Sequence, residues 1–163
     1  MGRTLTEACA RLRPVAVASP YSSDERGSFA AQFMTLPAAP YFGLELDLSD
    51  THIVVVRLPQ LAPHHLGGVR THAVNGAVLA ALFDCALGIA GSLQFPAQRV
   101  GTVELSMQFR RPAFDAPLNA LAYCTRRTSH VAFVAAEIYA GESLCAGATG
   151  MVARSSSSEP AIW

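Results

Sequence analysis

The spacing of apolar residues changes period along the chain, and the changes mark its elements. Thr4 to about Arg13 reads as a short helix, with Thr4 as cap, Glu7 three residues on, and Pro14 as its end. Ser19 to Ser23 is turn-like. A second helix, roughly Asp24 to Leu36, is capped by Ser22, Ser23 or Asp24, carries Phe29, Phe33 and Leu36 on one face, and is stopped by Pro37 and Pro40. Tyr41 to Leu48 then alternates, with Phe42, Leu44, Leu46 and Leu48 on one side and Glu45 and Asp47 on the other. With the Ser49-Asp50 turn and the β-branched run His52 to Leu58, this predicts a β-hairpin. Gln60 to Ala73, with Pro63 and Gly67-Gly68, reads as a loop. Asn75 to Leu93 is apolar or small at nearly every position and shows no polar stripe, which predicts a helix buried on all sides. After Pro96 come four strand candidates, Val100–Phe109, Leu118–Thr125, Val131–Tyr139 and Ser143–Ala153, separated by turns rich in Pro, Asp, Gly and Ser. The SSSSEP tail is low in complexity and reads as mobile.

This order predicts an α+β fold: one long central helix wrapped by a curved antiparallel sheet. The helix covers one face of the sheet, so a partner is expected to cover the rest. Composition supports that. Of 163 residues 51% are apolar, and twelve basic residues balance twelve acidic ones. Zero net charge gives weak protection against association and favours a homo-oligomer. It excludes a nucleic-acid footprint and a polybasic membrane patch. Cys9, Cys85, Cys124 and Cys145 are far apart and form no metal or redox spacing, and Cys85 and Cys145 read as small core residues. The compartment is read as reducing, hence cytoplasmic. The N-terminus has no signal-peptide run. Met1-Gly2 looks like an acylation start, but Leu5 and Thr6 do not complete the site. The longest apolar run carries Asp84 and is rich in Gly and Ala, so it reads as a helix within a soluble domain, not as a membrane span.

Asp84 is the chemically pointed residue of that helix. A buried carboxylate is costly unless it is paired, hydrogen-bonded or protonated, so the chain either satisfies it structurally or uses it. Ala77, Ala81, Gly88 and Gly91 share its face by helical spacing, a strip of small residues that admits another backbone. The opening amides, at Gly76 and Ala77, lack internal acceptors and can bind a carbonyl oxygen; the alternative is a simple helix start with Asn75 as N-cap. Asn75 cannot titrate, so it is a positioner. Arg110-Arg111 and Arg126-Arg127 sit at strand ends, as phosphate contacts or as solvated turn residues. His64, His65 and His72 have no carboxylate or Cys at metal spacing, and no serine lies in a nucleophile-elbow context. Phe29, Phe33 and Met34 serve an acyl pocket or packing.

From Tyr41 to Ala153 the chain resembles the hotdog-fold acyl-CoA thioesterases, specifically the phenylacetate-pathway-like branch of the 4-hydroxybenzoyl-CoA thioesterase superfamily. That family opens its helix with His-Gly-Gly and places a catalytic Asp or Glu nine residues after the His. Here the helix opens Asn75-Gly76-Ala77, and Asp84 falls at that offset. The small hydroxyl residue at the next strand corresponds to Thr102 in GTVELSMQF, and the basic-Pro-Ala turn to Arg110-Arg111-Pro112-Ala113. AGESLCAGATGMVA matches the closing hairpin. Asn75 stands where His is usual and Ala77 replaces the second Gly; Val69 falls where a polar residue is common, with His64, His65 or His72 as candidates to replace it.

The resemblance implies a hotdog domain over residues 41–154, preceded by an N-terminal helical segment, 1–40, packing on it, and followed by a flexible tail, 155–163. It implies an acyl-CoA thioester hydrolase, as a homodimer or homotetramer with the site at the subunit interface, that needs no metal or redox cofactor. Gly76 is the main oxyanion donor and Asp84 of the partner chain the base or nucleophile. Thr102 and Asn75 are supporting, with Ala77 and the two arginine pairs on the substrate. A non-catalytic acyl-CoA-binding or regulatory hotdog domain is the alternative, motivated by the missing His; a hydratase ranks last, since the helix supplies no His to move a proton at carbon.

Overall fold

The structure is a computed structural model that describes residues 4–68, 70–115 and 117–155; the Met1-Gly2 start, Val69 and the SSSSEP tail from Ser156 on lie outside the described residues. In chain order the helices are α1 (Leu5–Leu12), α2 (Ser23–Met34), α3 (Ala38–Phe42) and α4 (Gly76–Ser92). The strands are β1 (Glu45–Asp47), β2 (Val54–Leu58), β3 (Leu66–Gly68), β4 (Thr71–Val74), β5 (Val100–Phe109), β6 (Leu118–Arg127), β7 (Val131–Ala140) and β8 (Ser143–Arg154). Six strands form one antiparallel sheet in the order β1-β2-β6-β7-β8-β5, and α4 lies across its inner face. This is the expected α+β layout, with the four C-terminal strands within two residues of their predicted limits.

Local chemistry explains the helix limits. Thr4 and Ser22 each close a capping box, with Glu7 and Glu25 returning the bond. The expected strand from Tyr41 is corrected: Tyr41 and Phe42 belong to α3. Pro37 does not only stop α2. It serves as the cap of α3, and Pro40 stands in the first turn, where the missing N–H costs nothing. Gly43, at φ +68°, closes α3. The alternation therefore runs through a helix end and a three-residue strand, and Leu44 and Leu48 still reach the core. The hairpin survives as β1–β2, with Glu45 opposite Arg57. The expected loop 60–73 is also corrected. It holds a 3₁₀ turn, Pro63–His65, and a ribbon of β3 and β4 whose register slips between Leu66 and Gly68.

The prediction that α4 is buried all round does not hold. Val78, Leu79, Leu82, Phe83, Leu87 and Ile89 are buried, while Gly76, Ala77 and Asp84 are exposed and Ala80, Ala81, Cys85 and Gly88 are half-buried. Hydropathy does not separate the two sides because small residues count as apolar; side-chain size does. Gly91, expected beside Asp84, points at the sheet instead, where an added Cβ would run into the side chain of Val152. The outer face of the sheet is partly covered by the chain itself. Ala8 and Leu12 of α1 pack with Ile53, Val55, Leu121 and Tyr139, and Arg11 pairs with Glu137. In α2, the buried Arg26 donates to the carbonyls of Leu48 (2.9 Å) and Tyr21 (2.8 Å), and so ties that helix to the hairpin.

Gly91→Ala overpacks the α4–β8 contact and is expected to cost about 1–3 kcal/mol, read as a lower urea midpoint at unchanged slope. A second expectation concerns Asp50. Burial opposes its ionisation, but the amides of His52 (2.7 Å) and Ile53 (3.3 Å) and the guanidinium of Arg13 outweigh that and hold its pKa below the usual carboxylate range. A depressed carboxyl stabilises the fold above the unfolded-state pKa, and the contribution is lost as pH falls through the folded value. Urea midpoints followed from pH 6 to 2 are expected to fall less steeply in Asp50→Asn than in the unaltered protein.

Candidate active site at the opening of the long helix

The site is built on the first two turns of α4. Asn75 caps the helix: its Oδ1 accepts from the Ala77 amide (2.8 Å), and its backbone carbonyl accepts from Val78 (2.9 Å). Among the described residues, the Gly76 N–H has no acceptor, and Gly76 is exposed. The N-cap reading and the oxyanion-donor reading are therefore compatible. The cap takes Ala77, and Gly76 keeps a free donor at the positive end of the helix dipole. Ala77 was expected on the substrate; its amide is already occupied.

A second layer holds this cap. The Asn75 amide donates to the His65 carbonyl (2.8 Å), and the Val74 amide to the Ala113 carbonyl (2.8 Å). His65 is buried, and its Nδ1 accepts from the Ala62 amide (3.0 Å). Burial first, and neighbouring His64 second, lower its pKa. His65 was one of three histidines that sequence reasoning left open. The signal that singles it out is position: it ends the 3₁₀ turn that leads into the ribbon ahead of α4. His72 is exposed. Among the described residues no three His, Cys, Asp or Glu side chains converge on a metal-sized site.

Phe109, at the end of β5, was not anticipated. Its ring lies over Gly76, with Cζ 3.4 Å from where a Cβ would stand, and the side chain is 57% exposed. Asp84 is exposed two turns further along, and among the described residues nothing donates to its carboxylate. Thr102 faces α4 one turn beyond Asp84: its Oγ1 is 3.6 Å from the Cβ position of Gly88 and makes no bond to the carboxylate. Cys85 adjoins Asp84, and burial, with the Asp84 charge second, pushes its thiol up to about 11. The arginine pairs are dispersed. Arg110 lies on the outer face of the sheet, its Nε 3.8 Å from the Cβ position of Gly147, and Arg111 continues the same turn. Arg126 and Arg127 stand at the opposite end of α4, where Arg127 donates to the Gln94 carbonyl (3.0 Å). Phe29 and Phe33 pack against the core, and Met34 is 39% exposed.

Residues 72–146, which hold α4, Asp84 and most of the sheet, match the family model of the thioesterase superfamily. The chain has the hotdog fold of the thioesterase superfamily. Solved structures agree. A thioesterase from Haemophilus influenzae superposes with a TM-score of 0.71 at 15% identity, covering 86% of this chain and 94% of that one. The E. coli PaaI protein, from the phenylacetic acid degradation operon, gives 0.70 at 20% identity, over 80% and 92%. A Bacillus halodurans protein solved with CoA gives 0.67 at 23% identity, over 85% and 98%. No curated protein matches in sequence. No helix of this hotdog chain, among the described residues, is long and apolar enough to cross a membrane.

The neighbourhood of Asp84 yields a check independent of turnover. Alkylation of Cys85 by iodoacetamide, followed by peptide mass mapping, is expected to rise through a pH near 11, where an unperturbed thiol would rise near 9. A midpoint near 9 would place Cys85 in open solvent.

Proposed function

We propose that this hotdog chain hydrolyses an acyl-CoA thioester to the free acid and coenzyme A, at a site shared by two copies of the chain. The observation that carries the reading is the pairing, on one open side of α4, of a free Gly76 amide with an exposed Asp84 amid small residues. Helical rise then makes the argument for two copies. Eight residues at about 1.5 Å each separate Gly76 from Asp84 by about 12 Å. A donor on the carbonyl oxygen and a base or nucleophile at the carbonyl carbon must act within a few ångströms of each other. One chain cannot supply both to one thioester. A second α4 running antiparallel along the small-residue strip brings the Asp84 of one copy to the Gly76 of the other, twice. The outer edge of β5 supports the same assembly. It has ten residues, all exposed or half-buried, and among the described residues no further strand lies beside it.

On this reading the Gly76 amide stabilises the oxyanion as the tetrahedral centre forms. The Asp84 carboxylate takes a proton from water, whose oxygen bonds to the carbonyl carbon, or attacks that carbon itself. The carbon–sulfur bond breaks, and the coenzyme A thiolate leaves and is protonated. Asn75 positions the Gly76 donor through the cap, and Thr102 borders the small-residue strip beside Asp84. Arg111 stands at the end of the same strand as Phe109, available to a coenzyme A phosphate. The chemistry needs no metal or redox cofactor, and a cytoplasmic setting suits the four free thiols.

Asp84→Asn is expected to lower kcat for a responsive acyl-CoA by about 10²–10⁴-fold with little change in thermal midpoint. Equal turnover in the variant would sink the mechanism. Tight binding of acyl-CoA thioesters without turnover by the unaltered protein, across a broad panel, would favour the non-catalytic binding domain.

A further inference from the structure

Phe109 closes a row of side chains along β5. Leu105, Met107 and Phe109 alternate onto the face that meets α4. Leu105 and Met107 are half-buried against the core, but Phe109 is 57% exposed. A phenylalanine gives its full stabilisation only when fully buried, so core packing does not account for a ring at this position. What the ring covers is Gly76. Its Cζ stands 3.4 Å, and its Cε atoms 3.8 and 3.9 Å, from where a Cβ on Gly76 would be, so the tip of the ring points at the helix start.

Ring and helix start are anchored to each other. Phe109 pairs with Ala146 of β8, and the next two amides, of Arg110 and Arg111, both donate to the Cys145 carbonyl (2.8 and 3.1 Å). The turn that follows returns to the helix, where the Ala113 carbonyl accepts from Val74 (2.8 Å), two residues before Gly76. The strand end and the free N–H are thus held on linked, rigid elements. The gap between them is the size of one methyl group: an alanine Cβ at position 76 would just touch the ring. The fold therefore tolerates a side chain there, and the glycine leaves the gap open.

That gap lies where an acyl group must enter. By standard bond lengths the ring tip is within about 6 Å of the Gly76 nitrogen. A carbonyl oxygen held by that N–H sits about 2.9 Å from the nitrogen. The carbon next to the carbonyl is only about 2.4 Å from that oxygen. A substituent on this carbon competes with the ring for the same small space. A substituent one carbon further along can turn away. We propose that Phe109 is a specificity-determining residue: it admits acyl groups unbranched at the carbon next to the thioester carbonyl and turns away those substituted there. This selection rests on the acyl-CoA reading of the site and adds a substrate class to it. Phe109 makes and breaks no bond; it acts by occupying space beside the donor.

The test compares isomeric acyl groups of equal carbon number: straight, branched at the second carbon, or branched at the third. Each is offered as the CoA thioester, for kcat/KM, and as a ketone analogue with a methylene in place of the thioester sulfur, for calorimetry. The ketone keeps the carbonyl and cannot be hydrolysed. The unaltered protein is expected to favour the straight isomer over the second-carbon isomer about tenfold or more in both readouts, and to accept the third-carbon isomer nearly as well as the straight one. Phe109→Ala is expected to bring the straight and second-carbon isomers close to parity at unchanged thermal midpoint and unchanged elution volume. Phe109→Tyr, which keeps the ring, is expected to retain the preference. Hydrolysis of no thioester, with the preference intact in ketone binding, would strike the hydrolase reading and uphold the role of Phe109. Equal treatment of the isomers by the unaltered protein, the same preference in Phe109→Ala, or no binding of any ketone overturns the proposal. A changed elution volume with an unchanged preference also overturns it, by assigning the ring to packing between copies.

Discussion

The contact on which the rest depends is the close approach of α4 to the sheet. The helix is amphipathic in volume, not in polarity: Leu, Val, Ile and Phe turn inward, while Gly76, Ala77, Ala80, Ala81 and Gly88 line the open side with Asp84. Each large side chain fully buried stabilises the fold by about 1.5–3 kcal/mol. The near-absence of bulk at Gly91 lets the helix axis sit down on Val152. With the large residues fixed inward, the positions of Gly76, Asp84 and Gly88 on the open side follow from helical geometry alone. The packing that makes the core is also what leaves these residues open.

The start of that helix shows how one residue can serve structure and still leave chemistry free. A helix begins with unpaired amides, and in most settings side chains or water satisfy them. Here the Asn75 side chain takes the second amide, and the carbonyl of Asn75 takes the next ones. The first is left to solvent, beneath the ring of Phe109. Capping by Asn75 thus fixes the direction in which the Gly76 N–H points. The ribbon and the buried His65 hold Asn75 in turn, so the direction of that amide depends on residues that precede the helix.

Much of this was legible in the sequence. Period-2 runs bounded by turn residues located the C-terminal strands, because strand chemistry and turn chemistry alternate cleanly there. The capping box at Thr4 and the start of α4 at Asn75 are local signals and read locally; at the second helix Ser22, Ser23 and Asp24 were equal candidates, and the bond returned by Glu25 selects Ser22. The failures are physical too. Phe42, Leu44, Leu46 and Leu48 keep their alternation through a helix end, because Gly43 in the left-handed region redirects the chain and no periodicity reports it. Binary hydropathy cannot tell alanine from leucine, so the open side of α4 and the misplaced Gly91 escaped it. Phe109 over Gly76 and the distance between the two arginine pairs are facts of strand pairing, which links residues far apart in sequence.

The surfaces left open also limit how two copies of this hotdog chain can meet. Had the outer face of the sheet been bare, face-to-face stacking of sheets would compete with every other mode. Instead α1 lies over β2, β6 and β7 on that side, fastened by Leu12 in the core and by Arg11 on Glu137. Covering that face with its own helix removes apolar area from the competition. What remains open, among the described residues, is the β5 edge and the small-residue side of α4. An edge strand offers unpaired backbone groups, and a strip of Gly and Ala offers close approach. A single copy cannot satisfy either. On the proposed mechanism the separation of Gly76 from Asp84 calls for a second chain on that same side, and the exposed surface there would accept one.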